Sequence, residues 1–404
     1  MSESTPPSRP AVVPGELFQD PYAVYGRLRE EGPVHQITGT DGLPAWLVTR
    51  YEDVRQALSD PRLSLDKRHA TPGGYRGMAL PPALDANLLN MDPPDHTRIR
   101  RMVSKVFTHR HVERLRAPVR RTADTLLDAV ADQDEFDLIP SYAAPLPIIV
   151  ISDLIGVPSS QRPDFRAWTD ALVAPDPLRP ERAREAVGRL LSFFTQLIAD
   201  KRAHPADDLL SALISVRDQE DRLSENELMS LAFLILVAGY ENTVHMIGNA
   251  VAALLDHPDQ LSALRADADL LDRAVEELAR YDGPAPLAIR RFPVEDIVIG
   301  DVTVPAGETV LLSLAAAHRD PRRFTNPDRL DLERDATGHL ALGHGIHYCL
   351  GAPLARMETA IALTALFDRF PCLSLAVAAR DLRRRPSMRS RGLVALPVRT
   401  AAAV

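Results

Sequence analysis

Cys349 and Cys372 are the only two cysteines in 404 residues. Two thiols at no framework spacing exclude a secreted disulfide scaffold and suit a reducing cytoplasm. Aromatic residues make up 5% of a chain that is 45% apolar, so the core has to be assembled mainly from Leu, Ala, Val and Ile. Positive charge is short too: 47 Lys and Arg against 55 Asp and Glu leave a net charge of −8, which argues against general nucleic-acid binding. The opening MSESTPPSRPAVVPGEL carries no apolar run to serve as signal or anchor, and residues 1–18 read as a flexible tail. The most apolar later run, Leu228 to Gly239, falls short of the roughly 20 residues that span a bilayer, and Glu241 and Asn242 follow it. There is no internal repeat, phosphate loop or dinucleotide fingerprint.

What is present is organised around GHGIHYCLG, Gly343 to Gly351. Cys349 sits just ahead of GAPLARMETAIALTALFDRF, where Leu350, Leu354, Met357, Ile361 and Leu366 recur at helical spacing. Free backbone N–H groups and the helix dipole at such a start favour a thiolate, the form that ligates metals or attacks as a nucleophile. Gly343, Gly345 and Gly351 let the backbone approach something flat or bulky. Taken alone, the loop leaves four readings: a haem-thiolate ligand, a reactive cysteine, His344, His347 and Cys349 as zinc ligands, or a buried cysteine in a glycine-rich turn.

The rest of the chain reads as mainly α with a small β region. Tyr22 to Glu31 forms a short helix, and AWLVTRYEDVRQAL a strand feeding a helix, with Trp46, Val48 and Tyr51 facing inward. A Gly- and Pro-rich stretch from Pro72 to Pro94 carries Met78, Leu80, Leu84, Leu88 and Leu89, as a functional loop would. HTRIRRMVSKVFTHRHVERLR then begins a basic helix on which His96 and Arg100, four apart, can grip one anion together. WTDALVAPDPLRPERAREAV breaks between two helices. Ser224 and Glu227 make a capping box ahead of about 30 residues without proline, apolar on nearly every side, as in a helix buried through a large protein. In its middle AGYENT clusters Gly239, Glu241, Asn242 and Thr243, polar groups that cost free energy unless they serve a site or pair. Glu277 and Arg280 stand three apart. Val302 and Val304, the turn residues Pro305, Ala306 and Gly307, then Val310 and Leu312 predict a hairpin, and RGLVALPV a last strand.

GHGIHYCLG followed by APLARMETA closely resembles the cysteine-ligand loop and following helix of the cytochrome P450 monooxygenases of the soluble bacterial type. That resemblance extends over roughly residues 20–400 through five motifs in the family's order. It implies the P450 fold as one interlocked domain over residues 19–404, binding haem b between the long helix and the Cys349 helix. By position, Cys349 becomes the axial iron ligand. His96, Arg100, Arg291 and His347 become propionate partners, while Ala238, Gly239 and Gly351 border the cofactor. One departure is Leu342, beside Gly343, where the family carries phenylalanine near the sulfur. Glu241 matches the acid that relays protons to dioxygen. Asn242 stands at the usual threonine position, and Thr243 lies about 100° further round the helix. Glu277 and Arg280 match the family's buried ion pair, with Arg329 as its later arginine. Leu88, Leu89, Leu172, Ala238, Leu287, Ala288, Ile289 and Met388 are expected to line the substrate pocket. Arg101, Lys105, Arg110 and Arg114 would face an acidic ferredoxin served by its reductase. The resemblance thus implies a cytoplasmic monomer that activates dioxygen to hydroxylate or epoxidise a bulky, largely apolar small molecule, as in secondary metabolism. Oxidative coupling, peroxide-driven oxidation and a catalytically silent ligand-binding relative stay open beside it.

Overall fold

The structure, a computed structural model, describes residues 17–39, 41–76, 81–173, 179–220 and 223–400. Met78 and Leu80 of the expected loop, the centre of the proline-rich break and most of the expected tail lie outside that range. Helices α1 (Tyr22–Glu31), α2 (Tyr51–Ser59), α3 (Pro82–Asp85), α4 (Asp95–Val106), α5 (His109–Asp128), α6 (Pro145–Ile155) and α7 (Arg162–Val173) form the first half. The second half holds α8 (Pro180–Ala203), α9 (Leu209–Glu220), α10 (Glu225–Asp256), α11 (Pro258–Ala266), α12 (Leu271–Asp282), α13 (Leu314–His318) and α14 (Ala352–Arg369). Strands are short: β1 (Val34–Thr38), β2 (Pro44–Val48), β3 (Leu63–Ser64), β4 (Glu135–Asp137), β5 (Phe292–Pro293), β6 (Ile297–Ile299), β7 (Val302–Val304), β8 (Val310–Leu312), β9 (Ser374–Leu375) and β10 (Pro397–Arg399).

Helix α10 starts as its sequence predicts. Ser224 accepts from the Glu227 backbone N–H while the Glu227 carboxylate accepts from the Ser224 N–H at 2.7 Å, a complete capping box. The helix runs 32 residues and packs against α3, α6, α7, α8, α9, α11, α12 and α14. By length and composition it could cross a membrane, contrary to the reading of its apolar run as too short. Its most apolar 18-residue stretch is 61% buried inside the protein, which makes it the central core helix. Around it lies the main apolar core, to which α14 contributes Leu354, Met357, Ile361 and Leu366, the residues that share helical spacing in the sequence.

Two smaller cores flank the β region. β1 pairs antiparallel with β2, and β2 pairs parallel with β8, covering a core that includes Tyr51, Val54, Val310 and Leu312. The sheet is covered on both faces, so Ala45 and Leu47 are buried along with Val48, while Trp46 stays half-buried and donates Nε1–H to Glu308 at 2.6 Å. The third core joins Tyr25 and Leu28 of α1 to Leu47, Leu287 and Met388. Leu17 belongs to it at 5% exposure, so residue 17, expected in the tail, is part of the folded body.

Three local expectations are corrected. The basic stretch from His96 to Arg116 is two helices, because Thr108 caps α5 by accepting from the His111 N–H. The hairpin forms earlier than expected: β6 pairs with β7 across Gly300, whose φ of +61° suits glycine. β8 leaves that hairpin to join β2, since pairing there buries Val310 and Leu312 in the second core. RGLVALPV contributes its strand only at Pro397–Arg399, where β10 lies between β4 and β9.

Candidate active site

Between the β region and α14 the chain makes the turn that carries Cys349. Gly343 and Gly345 have φ of +77° and +72°, and a Cβ on Gly345 would lie 3.2 Å from Ser59 Cβ and 3.3 Å from Leu58 O, so the loop is pressed onto the end of α2. The Cys349 N–H donates to Leu342 O at 2.8 Å, and α14 begins three residues after the cysteine, with Pro353 in its first turn. Burial pushes the Cys349 thiol above its ordinary range, against the lowering effect of the Gly351 and Ala352 N–H groups, Arg100 and Arg356. The helix start therefore acts as expected, but desolvation outweighs it.

Four groups that can carry positive charge stand close to this loop. His96 is 1% exposed, its ring centroid lies 4.2 Å from that of His347, and neither of its nitrogens has a partner. His347 Nε2 is buried and unpartnered, and burial, then Arg291, His96 and Arg100, push its imidazolium down to about 3. Arg291 is 4% exposed, its Nε has no partner, and burial brings its guanidinium down to about 10. Arg100 donates from Nη2 to Tyr348 O at 2.6 Å. Buried donors are normally paired. A crowd of them, mutually repelling and aimed together, calls for an anionic group carried by a ligand. Two propionates beside an iron-ligating thiol meet that requirement, so the residues present fit a haem.

On α10 the two polar candidates divide. Ala238 and Asn242, four apart, are exposed in the middle of an otherwise buried helix, and Asn242 Nδ2 lies 3.4 Å from Ala238 O. Thr243 is 6% exposed and its hydroxyl donates to Gly239 O at 2.8 Å, so it is turned into the core and spent on its own helix. A Cβ on Gly239 would come 2.9 Å from Ile151 Cδ1 of α6, which keeps that position small. Burial alone would raise the Glu241 carboxyl, but His245, Ser390 and Arg389 together hold it below its usual range.

The ion pair behind the loop differs from expectation in one member. Arg280 clasps Glu277 through Nε and Nη2 at 2.7 and 2.8 Å, and its Nη1 reaches His318 O and Pro327 O at 2.8 and 2.9 Å. The later arginine is Arg334, whose Nε donates to Glu277 Oε1 at 3.1 Å, not Arg329. Arg329 is exposed and contributes its carbonyl, which accepts from Arg280 and Arg334. Asn326, at φ +48°, starts the turn that swings Arg334 back. Spacing could not separate these two arginines, five apart on one loop.

Other charged residues here carried no motif. Glu276 receives Arg356 at 2.5 Å and His339 at 2.8 Å; burial opposes its ionisation, yet those two bring its carboxyl down to about 2. Glu358 on α14 is 2% exposed without a partner at Oε1, and burial pushes it up to about 8. Arg290 holds the expected pocket loop, donating to Leu89 O at 3.2 Å and Asn90 Oδ1 at 2.8 Å. Among the described residues no cluster of three His, Cys, Asp or Glu side chains could hold a metal, so His344 and His347 form no zinc-type set with Cys349.

Of the expected pocket residues, Leu88 and Leu172 are buried in the main core, Leu287 and Met388 meet in the third, and Ala288 and Ile289 are half-buried. Arg101 and Lys105 line a hollow of about 410 Å³ on α4 with Thr97 and Met102. Arg110 is exposed, and Arg114 pairs with Asp207 at 3.4 Å. Ile346 and Tyr348, at 51% and 37% exposure, add apolar surface to the outside of the cysteine loop.

The family model for cytochrome P450 matches residues 150–375. Cytochrome P450 107B1 of Saccharopolyspora erythraea is 50% identical over 393 residues, covering 95% of this chain and 96% of that one. The 6-deoxyerythronolide B hydroxylase of the same organism is 44% identical over 389 residues, covering 94% and 96%. Among solved structures, the tirandamycin C-bound P450 monooxygenase TamI is 46% identical, with a TM-score of 0.87, and the match covers 95% of this chain and 98% of that one.

Proposed function

From the premise that this chain belongs to the cytochrome P450 family and is a P450 monooxygenase, we propose that it hydroxylates or epoxidises a bulky, largely apolar product of secondary metabolism. Electrons reach it from a ferredoxin and its reductase. The observation that carries this reading is the set of unpartnered nitrogens on His96, His347 and Arg291 beside Cys349. These groups, with Arg100, hold the propionates of haem b, and Cys349 ligates its iron. Haem bound in this way supplies the oxygen-activating chemistry.

The remaining work falls to this chain's side chains. Glu241, kept ionised by its neighbours, holds and passes protons on the α10 side. Asn242, exposed where the family carries threonine, presents an amide that orients water or a substrate hydroxyl. Leu287, Met388, Ala288 and Ile289 supply aliphatic wall and exclude water. A bulky substrate is supported by two relatives named for 6-deoxyerythronolide B and bound to tirandamycin C. Arg101, Lys105 and Arg110, together with the exposed apolar Ile346 and Tyr348 of the cysteine loop, suit an acidic ferredoxin. Two free thiols suit work in the cytoplasm. Oxidative coupling is the second reading, and the amide at position 242 favours it because it withdraws the usual hydroxyl from proton delivery.

The first test is the absorption spectrum of the reduced protein with carbon monoxide, beside Cys349→His. The strongly red-shifted thiolate band, lost in the variant, is expected; a spectrum indifferent to position 349 would overturn the ligand assignment. For the substrate, 6-deoxyerythronolide B and tirandamycin C should each perturb the haem spectrum. A response only to small polar metabolites would overturn the bulky class. Product carrying a new bond and no added oxygen would select the coupling reading.

A further inference from the structure

One turn beyond Glu241 on α10 lies His245, a residue that neither the motifs nor the family comparison singles out. It is 4% exposed, and its Nε2 is buried without a hydrogen bond. That nitrogen points at Glu241, 3.6 Å from Oε1. Its other side is closed by main chain: a Cβ built on Gly392 would fall 2.0 Å from His245 Nδ1 and 2.3 Å from Cε1, so no other residue fits at 392 without moving the ring.

The segment that closes on His245 is itself anchored. Arg391 and Arg384 both pair with the buried carboxylate of Asp282, Arg384 at 2.6 Å. Asn249, one turn further along α10 from His245, donates to Arg391 O at 2.8 Å and to Asp282 O at 2.9 Å. The Arg391 N–H donates to Pro284 O at 2.7 Å. Gly392 is thereby fixed against the ring, and the ring against Glu241. The groups that act on Glu241 are His245 on its own helix and Ser390 and Arg389 on the anchored segment.

We infer that His245 is a positioning residue for Glu241, a ring wedged by Gly392 that clamps the carboxylate between α10 and the 389–392 segment. This rests on the reading of Glu241 as the proton-handling acid only for its consequence in turnover. The clamp itself is a matter of geometry. A partner behind a metal-ligating group typically changes affinity or activity by about 10- to 100-fold when removed, and an effect at the lower end of that range is expected behind Glu241. Burial is the largest influence on Glu241, and it acts to raise the carboxyl. Without His245 its titration has to move upward.

The test is carried out on the haem-loaded protein. The carboxyl stretch of Glu241, identified by its loss in Glu241→Gln, is titrated by infrared difference spectroscopy in the native protein, His245→Ala, His245→Asn and Gly392→Ala. The carbon monoxide spectrum confirms that each variant is folded. Titration at higher pH is expected in both His245 variants, and in Gly392→Ala, which keeps the imidazole but displaces it. Unchanged Glu241 titration in folded His245→Ala and His245→Asn would overturn the clamp. Peroxide released per NADH, with ferredoxin, reductase and 6-deoxyerythronolide B as probe, supplies the second arm. His245→Asn is expected to raise it on the order of tenfold in the native background and not in Glu241→Gln. An equal effect in both backgrounds would mean that His245 does not act through Glu241. If Glu241→Gln alone leaves peroxide release unchanged, the proton-handling reading of Glu241 fails, while the infrared result still decides the clamp.

Discussion

Around Glu277 and Arg280, every side-chain nitrogen and oxygen has a partner: Arg280 binds both Glu277 oxygens and three carbonyls, and Arg334 donates a further hydrogen bond to Glu277 Oε1. Around His96, His347 and Arg291, four buried nitrogens have none. Both clusters are buried and both are rich in arginine or histidine. The difference teaches how to tell architecture from a ligand site. A charge cluster that closes on itself holds the chain together, and one left open is built for something the chain does not contain.

The closed cluster should be the costlier to disturb. Glu277→Ala strands a guanidinium whose side chain, like that of Glu277, is 0% exposed, and is expected to destabilise the protein by about 3 to 5 kcal/mol in urea unfolding. A loss below about 1 kcal/mol would show that the two clusters do not differ in kind. Next in size is an effect of pH on the haem-free protein. His347 titrates near 3 when folded and, when unfolded, at the ordinary value of 6.5. As pH falls below 6.5 the unfolded chain takes up a proton that the folded one refuses, so stability drops. Between pH 6.5 and 5 the loss should be about 1 to 2 kcal/mol, and His347→Leu should flatten that part of the profile.

The two arginines give a sharper contrast. Arg334→Ala removes a hydrogen bond to a buried carboxylate and should cost about 1 to 3 kcal/mol, whereas Arg329→Ala should stay within about 0.5 kcal/mol because only its carbonyl is used. Equal losses would restore Arg329 to the cluster. Small on stability as well is His96→Leu. Removing two unpartnered nitrogens should leave the haem-free protein unchanged to within about 1 kcal/mol. The same change should speed haem loss to an apomyoglobin trap, on the order of tenfold or more. Unchanged stability of the haem-free variant alongside faster haem loss would be the clearest sign of an open cluster.

Much of this was legible along the chain because it depends on neighbours in sequence. The bounds of α1, the capping box of Ser224 and Glu227, and the spacing of Leu354, Met357 and Ile361 follow from helical geometry over a few residues. The 100° offset between Asn242 and Thr243 likewise foretold that the two would differ, and one is exposed while the other bonds Gly239. Where the reading went astray, the deciding contact lay far off in sequence. Val310 chose β2, more than 250 residues earlier, over the adjacent β7. Leu17 was drawn into a core with Met388.

The identity of the thiol-bearing loop, the capping of the long helix and the helical class were thus determined locally, by glycine placement, caps and the period of apolar residues. Which arginine completes the ion pair, which histidine stands behind Glu241 and which buried nitrogens stay unpartnered were decided only by the tertiary structure. The reason is physical. Propensity and periodicity act over one or two turns, whereas desolvation and charge pairing depend on what surrounds a group in space. Gly392 against the His245 ring, some 150 residues apart, is a contact that no local pattern encodes.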